Sequence, residues 1–135
     1  MSGVQSVTLN EATRKLLDGK NLATVATVNP DGGPQSSVVW VKREGDTVLI
    51  STTTRTQKAR NLARDPRISV AMFDSENPSH SVEIRGLAEL REDPEKALPK
   101  ELYRKYLGTE APPEPSEWVR LVVRVSPRKV TEYSP

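Results

Sequence analysis

The chain has 135 residues, 35% of them hydrophobic and 28% charged, which suffices for one domain with a thin core and leaves no room for a second catalytic domain. Twenty lysines and arginines against 18 aspartates and glutamates give a net charge of +2, far below the basic excess by which dedicated nucleic-acid binders displace counterions. The lack of cysteine excludes disulfides, thiolate metal sites, iron–sulfur clusters and a thiol nucleophile.

From the N-terminus, Met1-Ser2-Gly3-Val4-Gln5-Ser6 has neither a basic nor an apolar targeting region, and no later run approaches membrane-spanning length. A cytoplasmic chain without membrane association is expected. Thr8-Leu9-Asn10-Glu11 has the form of a capping box, and Ala12, Leu16 and Leu17 supply an apolar helix face before a stop at Gly19. Residues 22–28 read as a strand, and Asn29-Pro30-Asp31-Gly32-Gly33-Pro34 supplies turn chemistry before a second strand over 35–41. Arg43-Glu44-Gly45-Asp46 predicts a tight turn into a third strand over 47–52, so the first half is expected to be an antiparallel meander.

A helix over 56–64 ends at Asp65-Pro66, and strand resumes over 68–73. Val82, Ile84, Gly86, Ala88 and Leu90 alternate with largely polar residues, the clearest strand pattern in the chain. Pro99 argues for a turn followed by a helix over 99–107, closed by Gly108. Glu110-Ala111-Pro112-Pro113-Glu114-Pro115 reads as an extended surface segment, and Val119, Leu121, Val123 and Val125 mark a last strand before Pro127. About six strands with short helices at their ends predict a mainly β chain forming a closed or nearly closed antiparallel barrel, because closure removes exposed edges. A thin core in a small β-rich chain also favours burial across a subunit interface, and an oligomer is expected.

The densest charge imbalance lies between Arg55 and Arg67, where Arg55, Lys58, Arg60, Arg64 and Arg67 face only Asp65. Cations at a helix start oppose its dipole, and Arg60 with Arg64 is a like-charged i,i+4 pair, so a bound anion is an economical compensation. Thr52-Thr53-Thr54-Arg55-Thr56-Gln57-Lys58 gathers hydroxyls, helix amides and a lysine, the equipment a phosphate requires. A second reading stays open: the threonines cap the helix and the cations form a solvated face. His80 is the single histidine, and no Gly-x-Ser-x-Gly elbow accompanies it, so neither a hydrolytic triad nor a histidine metal site is expected.

On these residues the chain resembles the split β-barrel flavin and deazaflavin oxidoreductases related to pyridoxamine 5'-phosphate oxidase. The resemblance runs from about Leu16 to Val130 and is carried by Leu22-Ala23-Thr24-Val25-Ala26-Thr27, Asp31-Gly32-Gly33-Pro34-Gln35, Ile50-Ser51-Thr52-Thr53, and above all Lys58-Ala59-Arg60-Asn61-Leu62-Ala63-Arg64-Asp65-Pro66-Arg67. With Glu83-Ile84-Arg85-Gly86-Leu87-Ala88, it points to the branch that uses coenzyme F420. It implies a six-stranded split-barrel homodimer of 1–135 with cofactor sites at the interface, passing hydride between reduced F420 and an unsaturated or conjugated small-molecule acceptor. The alternatives are an FMN enzyme on the same fold and a non-catalytic F420 carrier. The flavin-using oxidases commonly have an arginine where this chain has Gln57.

By the same resemblance Gln35, Ser36, Ser37 and Val38 face the cofactor ring through backbone groups, with Ser51 and Thr52 beside them. Thr54, Arg55, Thr56, Gln57 and Lys58 hold its phosphate, and Arg60 and Asn61 contact the phosphate or an acidic tail. Trp118 and His80 are expected at the acceptor pocket, with Trp118 read alternatively as a core or interface aromatic and His80, among turn residues, as a polar loop residue. No dedicated side-chain acid or base is required, because such a cofactor carries the hydride chemistry itself.

Overall fold

A computed structural model describes residues 7–134. Helix α1 (Glu11–Asp18) is capped by Asn10, whose side chain accepts the Thr13 amide at 2.8 Å. The expected cap at Thr8 is displaced by two residues, since Asn10 is the residue spaced to reach the third helical amide. Strands β1 (Ala23–Val28) and β2 (Pro34–Val39) form the expected hairpin. Its turn is closed by the Asn29 amide donating to Gly33 O, with Gly32 at a φ of 88° that favours glycine.

The second predicted strand stops at Val39. Trp40 and Val41 then carry the chain across the molecule, and Lys42–Glu44 forms a separate strand, β3, that hairpins onto β4 (Thr47–Thr53). Helix α2 (Gln57–Arg64) and strands β5 (Arg67–Asp74) and β6 (Asn77–Glu92) follow. β6 begins earlier than the alternation suggested and takes in His80, which the turn residues around it had assigned to a loop. Helix α3 (Ala97–Leu107) starts ahead of Pro99, because the Asp93 carboxylate accepts the amides of Ala97 and Leu98 and a proline in the first turn needs no acceptor. Strand β7 (Arg120–Tyr133) continues through Pro127. There the β6–β7 register shifts beside Gly86, and a Cβ at Gly86 would meet Ser126 O at 2.4 Å.

The seven strands form one antiparallel sheet in the order β2-β1-β5-β6-β7-β4-β3. Two expectations are therefore corrected. The first half is not a meander, because β2 and β3, neighbours in sequence, lie at opposite edges. The sheet is not a closed six-stranded barrel, because no ladder joins β2 to β3. It nevertheless curls, since Val25 of β1, Ile50 of β4, Ile84 of β6 and Val123 of β7 share one buried core that Leu17 of α1 completes. No helix among the described residues is long and apolar enough to cross a membrane.

The β2–β3 crossing is pinned by α3. Tyr106 Oη accepts the Val41 amide at 3.1 Å and donates to Asn21 O at 2.8 Å. Lys105 Nζ donates to Leu17 O at 2.6 Å and Val41 O at 2.7 Å. Trp40 stacks on Tyr106 at 5.2 Å between centroids and meets Tyr103 edge-on at 5.0 Å. The crossing thus holds an indole against α3, where it walls a cavity.

Candidate cofactor site

A cavity of about 320 Å³ opens between the ends of β2 and β4, the head of α2 and the side of α3. Sheet curvature brings these elements together although β2 and β4 are separated by four strands in ladder order. One side is polar, with Ser51, Thr52, Thr53, Thr56 and Lys58; the facing side is Trp40, Leu102 and Tyr103.

The polar side follows from how β4 turns into α2. The Thr56 amide donates to Thr53 O, and Thr53 Oγ1 accepts the Arg55 amide at 3.3 Å. Thr56 caps α2 by accepting the Ala59 amide at 3.2 Å, and its hydroxyl lies 2.8 Å from that of Thr52. The amides of Gln57 and Lys58 have no acceptor among the described residues, so the helix presents open donors at this end. Lys58 is half-buried, forms no ion pair or hydrogen bond among the described residues, and burial holds its ammonium below the usual lysine range.

Five of the residues the resemblance implicated line the cavity: Val38, Ser51, Thr52, Thr56 and Lys58. Arg55 and Trp118 do not line the cavity; the Arg55 guanidinium lies 5.5 Å from the centroid of the Trp118 ring, and the Thr54 amide donates to Val119 O at 3.1 Å. Trp118 is thereby brought to the same end of the molecule within one chain. β2 is an edge strand with half its backbone groups outside any ladder, as backbone contact with a ring requires.

Other assigned residues have different work. Asn61 is fully buried; its Nδ2 donates to Thr27 Oγ1 and Asn29 Oδ1, both at 3.0 Å, and its Oδ1 accepts Gln57 Nε2 at 2.8 Å. It braces α2 against the β1–β2 hairpin and does not reach the cavity. Gln57 also accepts Arg60 Nη2 at 2.9 Å and so links the exposed Arg60 to the buried Asn61; neither Gln57 nor Arg60 lines the cavity. Gln35 accepts the Thr27 hydroxyl at 3.0 Å, Ser36 and Thr54 face outward, and the Ser37 hydroxyl is buried without a partner. His80 is not brought to this cavity. It pairs with Glu132 at 2.9 Å and lines a different cavity between α1 and the β5–β6 turn.

Sequence reasoning did not assign Trp40, Leu102, Tyr103 or Arg120 to the site. Arg120 enters because it pairs with Thr53 across the β4–β7 ladder, a contact no local pattern announces. The residues present fit a phosphate-bearing aromatic cofactor: an ammonium without an ion pair among the described residues, two open helix amides and the hydroxyls of Ser51, Thr52, Thr53 and Thr56, together with aromatic and aliphatic surface.

Comparison with known proteins identifies the family. The family described as pyridoxamine 5'-phosphate oxidase matches residues 9–133. A solved structure named F420 Reductase is 31% identical, with a TM-score of 0.83, over 91% of this chain and 98% of that one. A conserved hypothetical protein from Mycobacterium tuberculosis is 24% identical with a TM-score of 0.76, covering 99% of this chain and 89% of its own. General Stress Protein 26 from Bacillus anthracis is 19% identical with a TM-score of 0.68, over 90% of both chains. No curated protein matches the sequence. By sequence and by fold the chain belongs to the pyridoxamine 5'-phosphate oxidase family of split β-barrel oxidoreductases, among whose structures an F420 reductase is a near neighbour.

Proposed function

We propose that the protein is an F420-dependent reductase that passes hydride from reduced F420 to an unsaturated or conjugated small organic acceptor. The observation that carries the proposal is Lys58, half-buried at the head of α2 with no carboxylate partner among the described residues, in a cavity that Trp40 and Tyr103 also line. F420 supplies the hydride chemistry when bound. Lys58 and the open amides of α2 would hold its phosphate, and the free edge of β2 would align its ring. Trp40, Leu102 and Tyr103 would exclude water from the reacting face. Arg60 and Arg64, exposed on α2 without carboxylate partners among the described residues, extend positive charge outward from Lys58, which suits a polyanionic tail. The 31% identity to an F420 reductase supports the choice of deazaflavin.

In this reading the working unit is a cytoplasmic homodimer with a cofactor site at each end of its interface. The exposed Leu22, Val38, Phe73 and Tyr133 are surfaces that such an assembly would cover. Nucleic acid and membrane are not partners, and no side chain acts as a dedicated acid or base. FMN is the second reading, favoured by the family that the sequence matches.

Fluorescence titration with F420 and, separately, FMN tests the choice, followed by oxidation of reduced F420 in the presence of conjugated acceptors. Saturable F420 binding with acceptor-dependent oxidation is expected. Tight FMN binding without F420 binding would move the protein to the flavin branch, and F420 binding without turnover with any acceptor would make it a carrier.

A further inference from the structure

A second cation faces the cavity from β7. Arg120 opens that strand opposite Thr53, and its side chain, 20% exposed, lines the same cavity as Lys58. Its Nε donates to both carboxylate oxygens of Glu114 at 3.2 and 3.1 Å, and Nη2 donates to Glu114 Oε1 at 3.0 Å. Nη1 donates to Ser51 Oγ, on the cavity wall, at 3.3 Å. One N–H on each terminal nitrogen is then left without an acceptor among the described residues.

Glu114 comes from the proline-rich stretch ahead of β7. Lys96 holds it from the other side at 3.3 Å, and its side chain is only 16% exposed. The Arg120 guanidinium, with help from Lys96, keeps the Glu114 carboxyl below the usual glutamate range. Arg120, Glu114 and Lys96 together therefore carry one net positive charge at neutral pH, with the arginine the member that faces the cavity. A tie that only fastened the proline-rich stretch to β7 would not require its arginine to line the cavity or to engage Ser51.

We propose that Arg120 is a second anion-binding residue of the cavity, and that Glu114 is a positioning residue that fixes its direction and tempers its charge. The inference rests on the reading of this cavity as a cofactor-phosphate site and names how that phosphate is recognised. A phosphate oxygen takes the open N–H groups of Arg120 while Lys58 engages the anion from α2. Glu114 competes for the same guanidinium, so the cavity binds a dianion less tightly than its two cations alone would allow.

Each cofactor paired with its phosphate-free analogue isolates the effect: FMN with riboflavin, and F420 with its bare ribityl deazaflavin. Arg120→Met is expected to weaken the phosphate-bearing member by about tenfold and leave the phosphate-free member unchanged, with Arg120→Lys recovering part of the loss. Glu114→Gln, which retains an acceptor and removes the charge, is expected to tighten the phosphate-bearing member several-fold at low salt, an effect that fades as ionic strength rises. Inorganic phosphate followed by phosphorus-31 line width reads the anion site whether or not a flavin binds. Failure of every flavin to bind the parent would therefore sink the cofactor reading, while loss of phosphate binding in Arg120→Met would still support this one. Parent-like phosphate affinity in folded Arg120→Met, or equal weakening of both members of a pair, would overturn it. So would weaker phosphate binding by Glu114→Gln at low salt.

Discussion

Lys58 and Lys105 are both half-buried lysines, and burial pushes both ammonium groups toward the neutral form, Lys105 to about 8. Their surroundings separate them. Lys105 donates to two backbone carbonyls, those of Leu17 and Val41, and so ties α1, α3 and the β2–β3 crossing together. Lys58 donates to nothing among the described residues and lines a cavity. A desolvated cation with its hydrogen bonds made is fastening structure; one with them open is held ready for a ligand.

The largest effect that sharpens this contrast concerns the brace behind Lys58. Asn61→Ala removes two hydrogen bonds that tie α2 to the β1–β2 hairpin, at Thr27 and Asn29, and one within α2 to Gln57, and should lower stability by about 3 kcal/mol in denaturant unfolding. A loss below about 1 kcal/mol would mean that α2 is held by Ala59 and Leu62 packing alone. Lys105→Met strands two carbonyls and should cost about 2 kcal/mol, while the cavity keeps its polar side. Thr56→Ala removes the α2 cap and should cost about 1 kcal/mol, with weaker phosphate binding following from the disturbed helix head.

The smallest effect is in pH dependence. Lys105 titrates at about 8 in the folded chain and near its ordinary 10.5 when unfolded. Between those values the unfolded chain keeps a proton the folded chain has lost, so this lysine makes stability rise with pH across that window. Unfolding midpoints of the parent and Lys105→Met, compared from pH 7.5 to about 10.5, should show the parent gaining relative to the variant. A difference that stays flat would place the Lys105 ammonium in contact with bulk water.

Much of this was legible locally. The α2 boundaries follow from Thr56 as cap and Asp65-Pro66 as stop, and the polar half of the cavity was readable because Ser51, Thr52, Thr56 and Lys58 lie within one short stretch of sequence. The sheet order was not legible. Nothing in the residues 34–44 signals that the chain leaves one edge at Val39 and rejoins the sheet at the opposite edge at Lys42; the crossing is fixed by Lys105 and Tyr106, more than 60 positions away. For the same reason the aromatic wall and Arg120 were missed, since curvature and ladder pairing bring them in. The burial of Asn61 was not legible either, because a motif position does not say whether a side chain faces a ligand or the core.

The most direct measurement is titration of F420 into the parent, Lys58→Met and Lys105→Met, with thermal unfolding of all three. Lys58→Met should lose about tenfold to a hundredfold in affinity at unchanged or slightly raised stability, because it removes a desolvated charge that serves only the ligand. Lys105→Met should lose stability first. If Lys58→Met binds as tightly as the parent, or if its chief defect is a lower melting temperature, the cavity is not the cofactor site and Lys58 is one more structural lysine.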